Sequence, residues 1–368
     1  MTDAQPPDED PHRAVRRWLW FVFFSIAVMV ALGGVTRLTG SGLSMVEWRP
    51  LMGTLPPMSE AEWQRVFELY QRSPQYQQVN TWMRLNDFQR IFFWEYVHRL
   101  FGRLIGLLVF VPWLYFVLLR RLSGRLAWRV FGALVLGGMQ GVLGWVMVRS
   151  GLVDEPAVSH FRLAAHLLLA FLVAQYILWL ILDLRPAMPG SEDGPADVRV
   201  RSALVALLVL TVVQIGFGAL MAGKRAGWFA LTFPDMNGHY LPGPFFPHAD
   251  VLRSALNEPL AIHYLHRLLA WLLLLVVGAF TLWVLKRGGP VRLLRSVRIL
   301  AGAALLQFTL GALTVILHIP TGLAVAHQLG GLALLSALVA SLHAALGLGG
   351  SFVQEGKLSE GEISPRRR

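Results

Sequence analysis

Cysteine is absent from the 368 residues, so the chain makes no disulfide, binds no metal through thiolate and ligates no iron–sulfur cluster of its own. Charge is also scarce. Only 15% of residues are Asp, Glu, Lys or Arg, against 55% hydrophobic, a balance that a water-soluble globular domain does not carry. Acidic residues are the rarer sign, 22 against 33 basic for a net charge of +11. In a soluble protein that excess would suggest nucleic acid. Here the basic residues fall between apolar runs, and no nucleic-acid partner is expected. The first 17 residues lack the small-residue cleavage pattern of a secretory signal and the Ser-rich make-up of a transit peptide.

What the sequence does contain is eight apolar runs, near 18–36, 91–119, 128–148, 162–182, 203–222, 260–285, 299–317 and 323–346. Each is long enough to cross the bilayer core, which takes about 20 helical residues. The lipid bilayer is therefore the expected solvent, and the expected fold is an all-α integral membrane protein of eight transmembrane helices. Arg13, Arg16 and Arg17 precede the first run. Arg120, Arg121, Arg125 and Arg129 follow the second, Arg185, Arg199 and Arg201 the fourth, and Lys286, Arg287, Arg292, Arg295 and Arg298 the sixth. The positive-inside rule puts these in the cytoplasm together with both termini, as a multi-pass protein of a bacterial cell inner membrane. The connections 37–90, 149–160, 223–258 and 318–322 then face outward, the first and third of them long.

The two halves of the chain repeat. Gly42-x7-Pro50-x-Met52-Gly53-x-Leu55-Pro56 is echoed about 185 residues later by Gly227-x6-Pro234-x-Met236-x-Gly238-x2-Leu241-Pro242. The second and sixth runs share His98-Arg99-Leu100 and His266-Arg267-Leu268. The third and seventh share Gln140-x3-Gly144 and Gln307-x3-Gly311, and the fourth and eighth share Ala165-His166 and Ala326-His327. Four matches in one order imply a duplicated four-helix unit, whose copies run parallel about an axis along the membrane normal. This predicts two pseudo-symmetric four-helix bundles: a cytoplasmic tail 1–17, a first half 18–184 with its outer loop 37–90, a linker 185–202, a second half 203–346 and a tail 347–368.

His98, His166, His266 and His327 each lie six to nine residues inside their outer helix ends, or roughly 9–14 Å deep at 1.5 Å per residue. An ionisable side chain in a span is a functional candidate, and imidazoles at one depth on neighbouring helices are how a haem iron is gripped. Two repeat-related pairs, His98 with His166 and His266 with His327, imply two haems. The competing reading for each ring is a hydrogen bond to a neighbouring helix. His160 and His263 lie close enough to touch a haem edge or replace a ligand, and His263 shares a helix face with His266. His239, His248 and His318 read as loop or interface residues, and His12 and His343 receive no role.

Glu95 precedes His98 by three residues on the same helix face, and its counterpart in the second half is His263. A carboxylate beside one site alone suggests that one half handles protons for chemistry while the other moves electrons. An ion pair with Arg99 that permits burial is the other reading, and both can hold together. Arg37, Arg99, Arg103 and Arg267, with Arg49, Lys224 and Arg225, lie near the outer mouths, where guanidinium suits haem propionates. Snorkelling to the headgroups is the alternative for each. Trp48, Trp82, Trp94 and Trp228 read as an interfacial belt. In the first outer loop, Ser59-Glu60-Ala61-Glu62 reads as a helix start, followed by Trp63, Val66, Phe67 and Tyr70 at amphipathic spacing, a cap over the first pocket.

The stretch Gly33-Gly34-Val35-Thr36-Arg37-Leu38-Thr39-Gly40-Ser41-Gly42-Leu43-Ser44, with Glu47-Trp48-Arg49-Pro50, Phe92-Phe93-Trp94-Glu95-Tyr96-Val97-His98-Arg99 and Arg162-Leu163-Ala164-Ala165-His166, resembles the haem A synthase family. So do Phe233-Pro234-x-Met236-Asn237-Gly238, His266-Arg267 and His327-Gln328, over about residues 17–346, in the alphaproteobacterial and mitochondrial branch. That resemblance implies a haem-dependent membrane oxidoreductase that oxidises a ring methyl of haem O to the formyl of haem A, through hydroxylated intermediates, for terminal oxidases. It further implies haem b as second cofactor, His98 and His166 on the substrate haem iron, Glu95 tied to the oxidation, and His266 and His327 on the haem b iron. An electron donor, a haem O synthase as partner and a homo-oligomer are the associations such a protein invites. The rival readings are a di-haem b-type electron-transfer cytochrome, which would need no asymmetric carboxylate, and a transporter.

Overall fold

The computed structural model describes residues 12–47, 54–153, 155–186, 194–240, 245, 247 and 250–348. Trp48, Arg49, His248, the repeat residues 50–53 and 241–242, and most of both tails lie outside the described residues. Eight helices are long and apolar enough to cross a membrane. They are α1 (Arg13–Leu38), α3 (Leu85–Leu118), α4 (Gly124–Arg149), α5 (His160–Asp183), α6 (Val198–Gly223), α8 (Pro259–Arg287), α9 (Val291–Ile316) and α10 (Thr321–Ala345). Two short helices, α2 (Glu60–Gln71) and α7 (Val251–Asn257), sit in the long connections. The chain is thus an all-α, multi-pass membrane protein. Phe21, Phe24, Leu107, Val111, Leu275, Leu282 and Leu305 point outward and stay exposed, an apolar surface that lipid covers.

Two helices start earlier than their apolar runs. α1 begins at Arg13 rather than at 18, because Arg13, Arg16 and Arg17 extend long stems from its first turns, and Arg16 donates to the Leu184 carbonyl at 3.0 Å. α3 begins at Leu85 rather than at 91, because the first loop shields its extra turns. Ser59 caps α2 by accepting from the Glu62 amide at 3.2 Å. Trp63, Phe67 and Tyr70 of α2 then pack on Phe88 and Phe92 of α3. Tyr70 stacks on Phe88 with ring centroids 5.1 Å apart; burial pushes its phenol above the usual range.

Proline inside a span needs a substitute donor, since apolar surroundings supply none. Pro112 in α3 cannot donate to the Leu108 carbonyl, and the Trp18 indole of α1 does so at 2.8 Å.

The helices pack in the same order in both halves. α1 lies on α3 and α5, α3 on α4 and α4 on α5; correspondingly α6 lies on α8 and α10, α8 on α9 and α9 on α10. Between the halves α1 meets α10, α5 meets α6, and α5 meets α10. The first two contacts exchange under a two-fold rotation, and the third sits on its axis. Side chains fill the end of the bundle that carries the N-terminus and the α3–α4 turn, around Leu19, Val130 and Ile177 in one half and Leu204, Val277, Leu300 and Leu338 in the other, with Leu335 of the second half packed into the first cluster. The opposite end carries both long loops, and all four histidines lie toward it.

At the packed end a buried polar cluster ties the halves. Asp183 of α5 accepts from Arg129 of α4 at 2.7 Å and pairs with His343 of α10 at 2.9 Å, while Trp179 packs edge-on against His343. His343, given no role from sequence, is thus half of an inter-helix lock. Asp183→Ala removes the carboxylate that Arg129 and His343 share. We expect a loss of about 3 kcal/mol, read as a lower thermal midpoint in detergent with haem content unchanged in the protein that remains folded.

Candidate functional site

In the second half, His266 of α8 and His327 of α10 face each other with ring centroids 6.4 Å apart and planes at 89°. A metal-bound imidazole nitrogen sits about 2 Å from its metal, so two rings holding one iron from opposite sides have centroids about 6 Å apart. The pair fits a bis-histidine haem. In all four histidines Nδ1 is buried without a hydrogen-bond partner although the residues are only partly buried. The cavity around the pair is walled by Phe233, Trp271 and Phe308 and flanked by Arg37, Arg225 and Arg267. Trp271 and Phe308 meet edge to face with centroids 4.4 Å apart, and Phe233 stacks parallel to Trp271 at 6.3 Å, an aromatic lining suited to a macrocycle.

Arg37 belongs to α1, in the other half, yet it lines this second cavity. Arg267 lines it too but is largely committed elsewhere. Its guanidinium donates to the carbonyls of Ala230, Thr232 and Asp235 at 3.0, 2.8 and 2.7 Å, and through Nε to His263 Nε2 at 2.9 Å. Arg267 therefore holds the loop after α6 onto α8, and His263, fully buried, spends its Nε2 on Arg267 rather than presenting it to a metal. In that loop the Gly238 amide donates to Asp235 and holds its carboxyl below the usual range.

In the first half, α3 carries Glu95, His98, Arg99 and Arg103 within three turns, and α5 carries His166. Glu95 is buried and paired with Arg99 at 2.5 Å. Its other oxygen accepts from the Ser44 hydroxyl at 2.7 Å and the Met45 amide at 2.8 Å, and Arg99 also donates to the Met45 carbonyl at 3.0 Å. Glu95–Arg99 and His263–Arg267 are thus equivalent i, i+4 pairs, each fastening its loop to the helix that bears a histidine. The ion pair expected as one reading of Glu95 is present. A carboxylate beside one pair and a neutral ring beside the other is the difference in chemistry between the halves. His160 points away from both pairs, its Nε2 lying 3.2 Å from the Leu256 carbonyl.

Sequence reading missed Gln214. Its Nε2 donates to the His266 carbonyl at 3.0 Å, as Gln140 donates to the His166 carbonyl at 3.0 Å; the Gln140 amide nitrogen also lies 3.3 Å from His166 Nε2. The signal was available, since Gln214-x3-Gly218 repeats the Gln-x3-Gly of the third and seventh runs.

An eight-span membrane protein with two imidazole pairs set between its helices, one of them spaced for an iron, is a haem-site scaffold. The chain belongs to the COX15-CtaA family, described as cytochrome oxidase assembly protein, whose model matches residues 16–339. It is 40% identical over 345 residues to a protein of Nitrosospira multiformis named "Heme A synthase", covering 92% of this chain and 96% of that one. Proteins of the same name from Paramagnetospirillum magneticum and Parvibaculum lavamentivorans are 42% and 41% identical, each across 90% of this chain and 94% of theirs.

Proposed function

We propose that this chain oxidises haem O to haem A, with the substrate haem between His98 and His166 and a haem b between His266 and His327. The asymmetry of the two halves carries the assignment: only the first pair has a carboxylate, Glu95, within one helical turn of a ligand. Haem b, when bound, supplies one-electron redox capacity. What the chain's own residues do follows from their positions. His98 and His166 orient the substrate. Glu95, held by Arg99, Ser44 and Met45, keeps a proton acceptor beside it at Oε2. The aromatic pack of α2 on α3 keeps water from that side. Arg37 and Arg225 provide guanidinium groups for propionates of the second haem.

The basic connections support an orientation with both termini cytoplasmic, in the proposed setting of a bacterial cell inner membrane. The loop end and its sites then face outward, where an electron donor docks, and a haem O synthase within the same bilayer is the partner that supplies the substrate. The halves 18–184 and 203–346 act as substrate half and haem b half.

Extraction and mass analysis of the haems from purified protein tests this. The expected result is haem b together with haem O or haem A. Haem b alone would favour a b-type electron-transfer cytochrome, and no haem would overturn the ligand assignment.

A further inference from the structure

All four imidazoles rest in one repeated cradle. The ring edge of each lies on a glycine of the preceding spanning helix: a Cβ on Gly33 would stand 3.1 Å from His98 Cε1, on Gly144 2.9 Å from that of His166, on Gly218 3.0 Å from that of His266, and on Gly311 2.8 Å from that of His327. Four residues before each glycine, one turn away, stands the residue that reaches along the histidine helix. It is Gln140, Gln214 or Gln307 in three cradles and Met29 in the fourth.

Gln140 and Gln214 donate to the backbone carbonyls of His166 and His266. Gln307 lays its amide on Gly331, one turn beyond His327, with Nε2 3.4 Å from where a Cβ would be. Met29 lays its methyl on Gly102, one turn beyond His98, at 3.2 Å from the corresponding point. The side chains thus occupy the same place in each repeat, but a thioether has no N–H to give. It is also more flexible and more polarisable than an amide. Among the four cradles, that of His98 is the one with no amide at this place; Gln140 and Gln214 hydrogen-bond the histidine carbonyl, and Gln307 packs its amide on Gly330 and Gly331.

We propose that Met29 is a positioning residue that makes His98 the exchangeable axial ligand, the first to release the haem that has to leave. This rests on the reading that the first half takes the substrate. The second half keeps an amide beside both of its ligands, as suits a haem that stays. In the first half His166 retains the Gln140 clamp, so the asymmetry also falls between two ligands of one iron.

The test follows haem transfer from full-length protein in detergent to an excess of haem-free globin, for wild type, Met29→Gln and Gln214→Met. Wild type is expected to lose haem in a fast and a slow phase, with the fast phase absent in His98→Ala. Met29→Gln should slow the fast phase on the order of fivefold, the worth of one hydrogen bond, and leave the slow phase unchanged. Gln214→Met should accelerate the slow phase alone by a similar factor. Unchanged fast release in folded Met29→Gln overturns the proposal. Should that variant fail to fold, unchanged slow release in Gln214→Met overturns it instead. Mass analysis of the released haem separates the two layers: haem b in the fast phase would sink the substrate assignment, while the rates judge the clamp by themselves.

Discussion

Glu95→Gln lowers haem A formation on the order of a hundredfold, the usual contribution of a positioned acid or base, and haem O accumulates in the membranes. The substitution keeps the shape of the side chain but removes its charge and one of its two acceptor oxygens. Arg99 loses its ionic partner at 2.5 Å, and the new amide nitrogen faces either Arg99 or both Ser44 and Met45, which share Oε2. Two roles meet in this residue, proton handling and fastening the first loop. The ratio of haem A to haem O reads the first, and the number of haems retained per chain reads the second. Retained haem with a collapsed ratio assigns Glu95 to the chemistry. A normal ratio would leave it as the loop fastener alone, equivalent to His263.

His327→Ala and His266→Ala each strip the second haem, so that purified protein falls from two haems per chain to one, while His263→Ala keeps both. The distinction comes from geometry. His266 and His327 stand 6.4 Å apart across the cavity, whereas the Nε2 of His263 accepts from Arg267. Absorption spectra and iron content of the three variants check this directly. Loss of haem in His263→Ala with retention in His266→Ala would exchange their roles. His263→Ala should instead loosen the segment around Ala230–Asp235 that Arg267 holds, seen as faster proteolysis of that loop.

The spans and the histidines that face each other across the helices were legible in the sequence because each rests on local information. Apolar length sets a helix, and a histidine within it stands out against its surroundings. The repeat also announced Glu95 as the odd residue, since its counterpart is an imidazole. Contacts that cross between helices were illegible. Nothing local to Arg37 says that it reaches the other half's cavity, and nothing local to His343 says that Asp183 lies opposite. Arg267 shows the limit most clearly. Its position at the mouth of the second site suggested a propionate partner, but its donors go to three loop carbonyls whose directions only the folded loop defines. Gln214 went unseen for a different reason: the repeat aligns it with Met29, so a search for identical residues passes over the cradle at the point where it changes.

The dense packing at one end of the bundle, around Leu19, Ile177, Leu204 and Leu300, has an electrical meaning. Moving one elementary charge through the full membrane potential is worth about 2.3 kcal/mol per 100 mV. With the histidines gathered toward the loop end, charges exchanged with that end would cross only a shallow part of the voltage drop. On the proposed orientation, turnover would then depend little on the membrane potential.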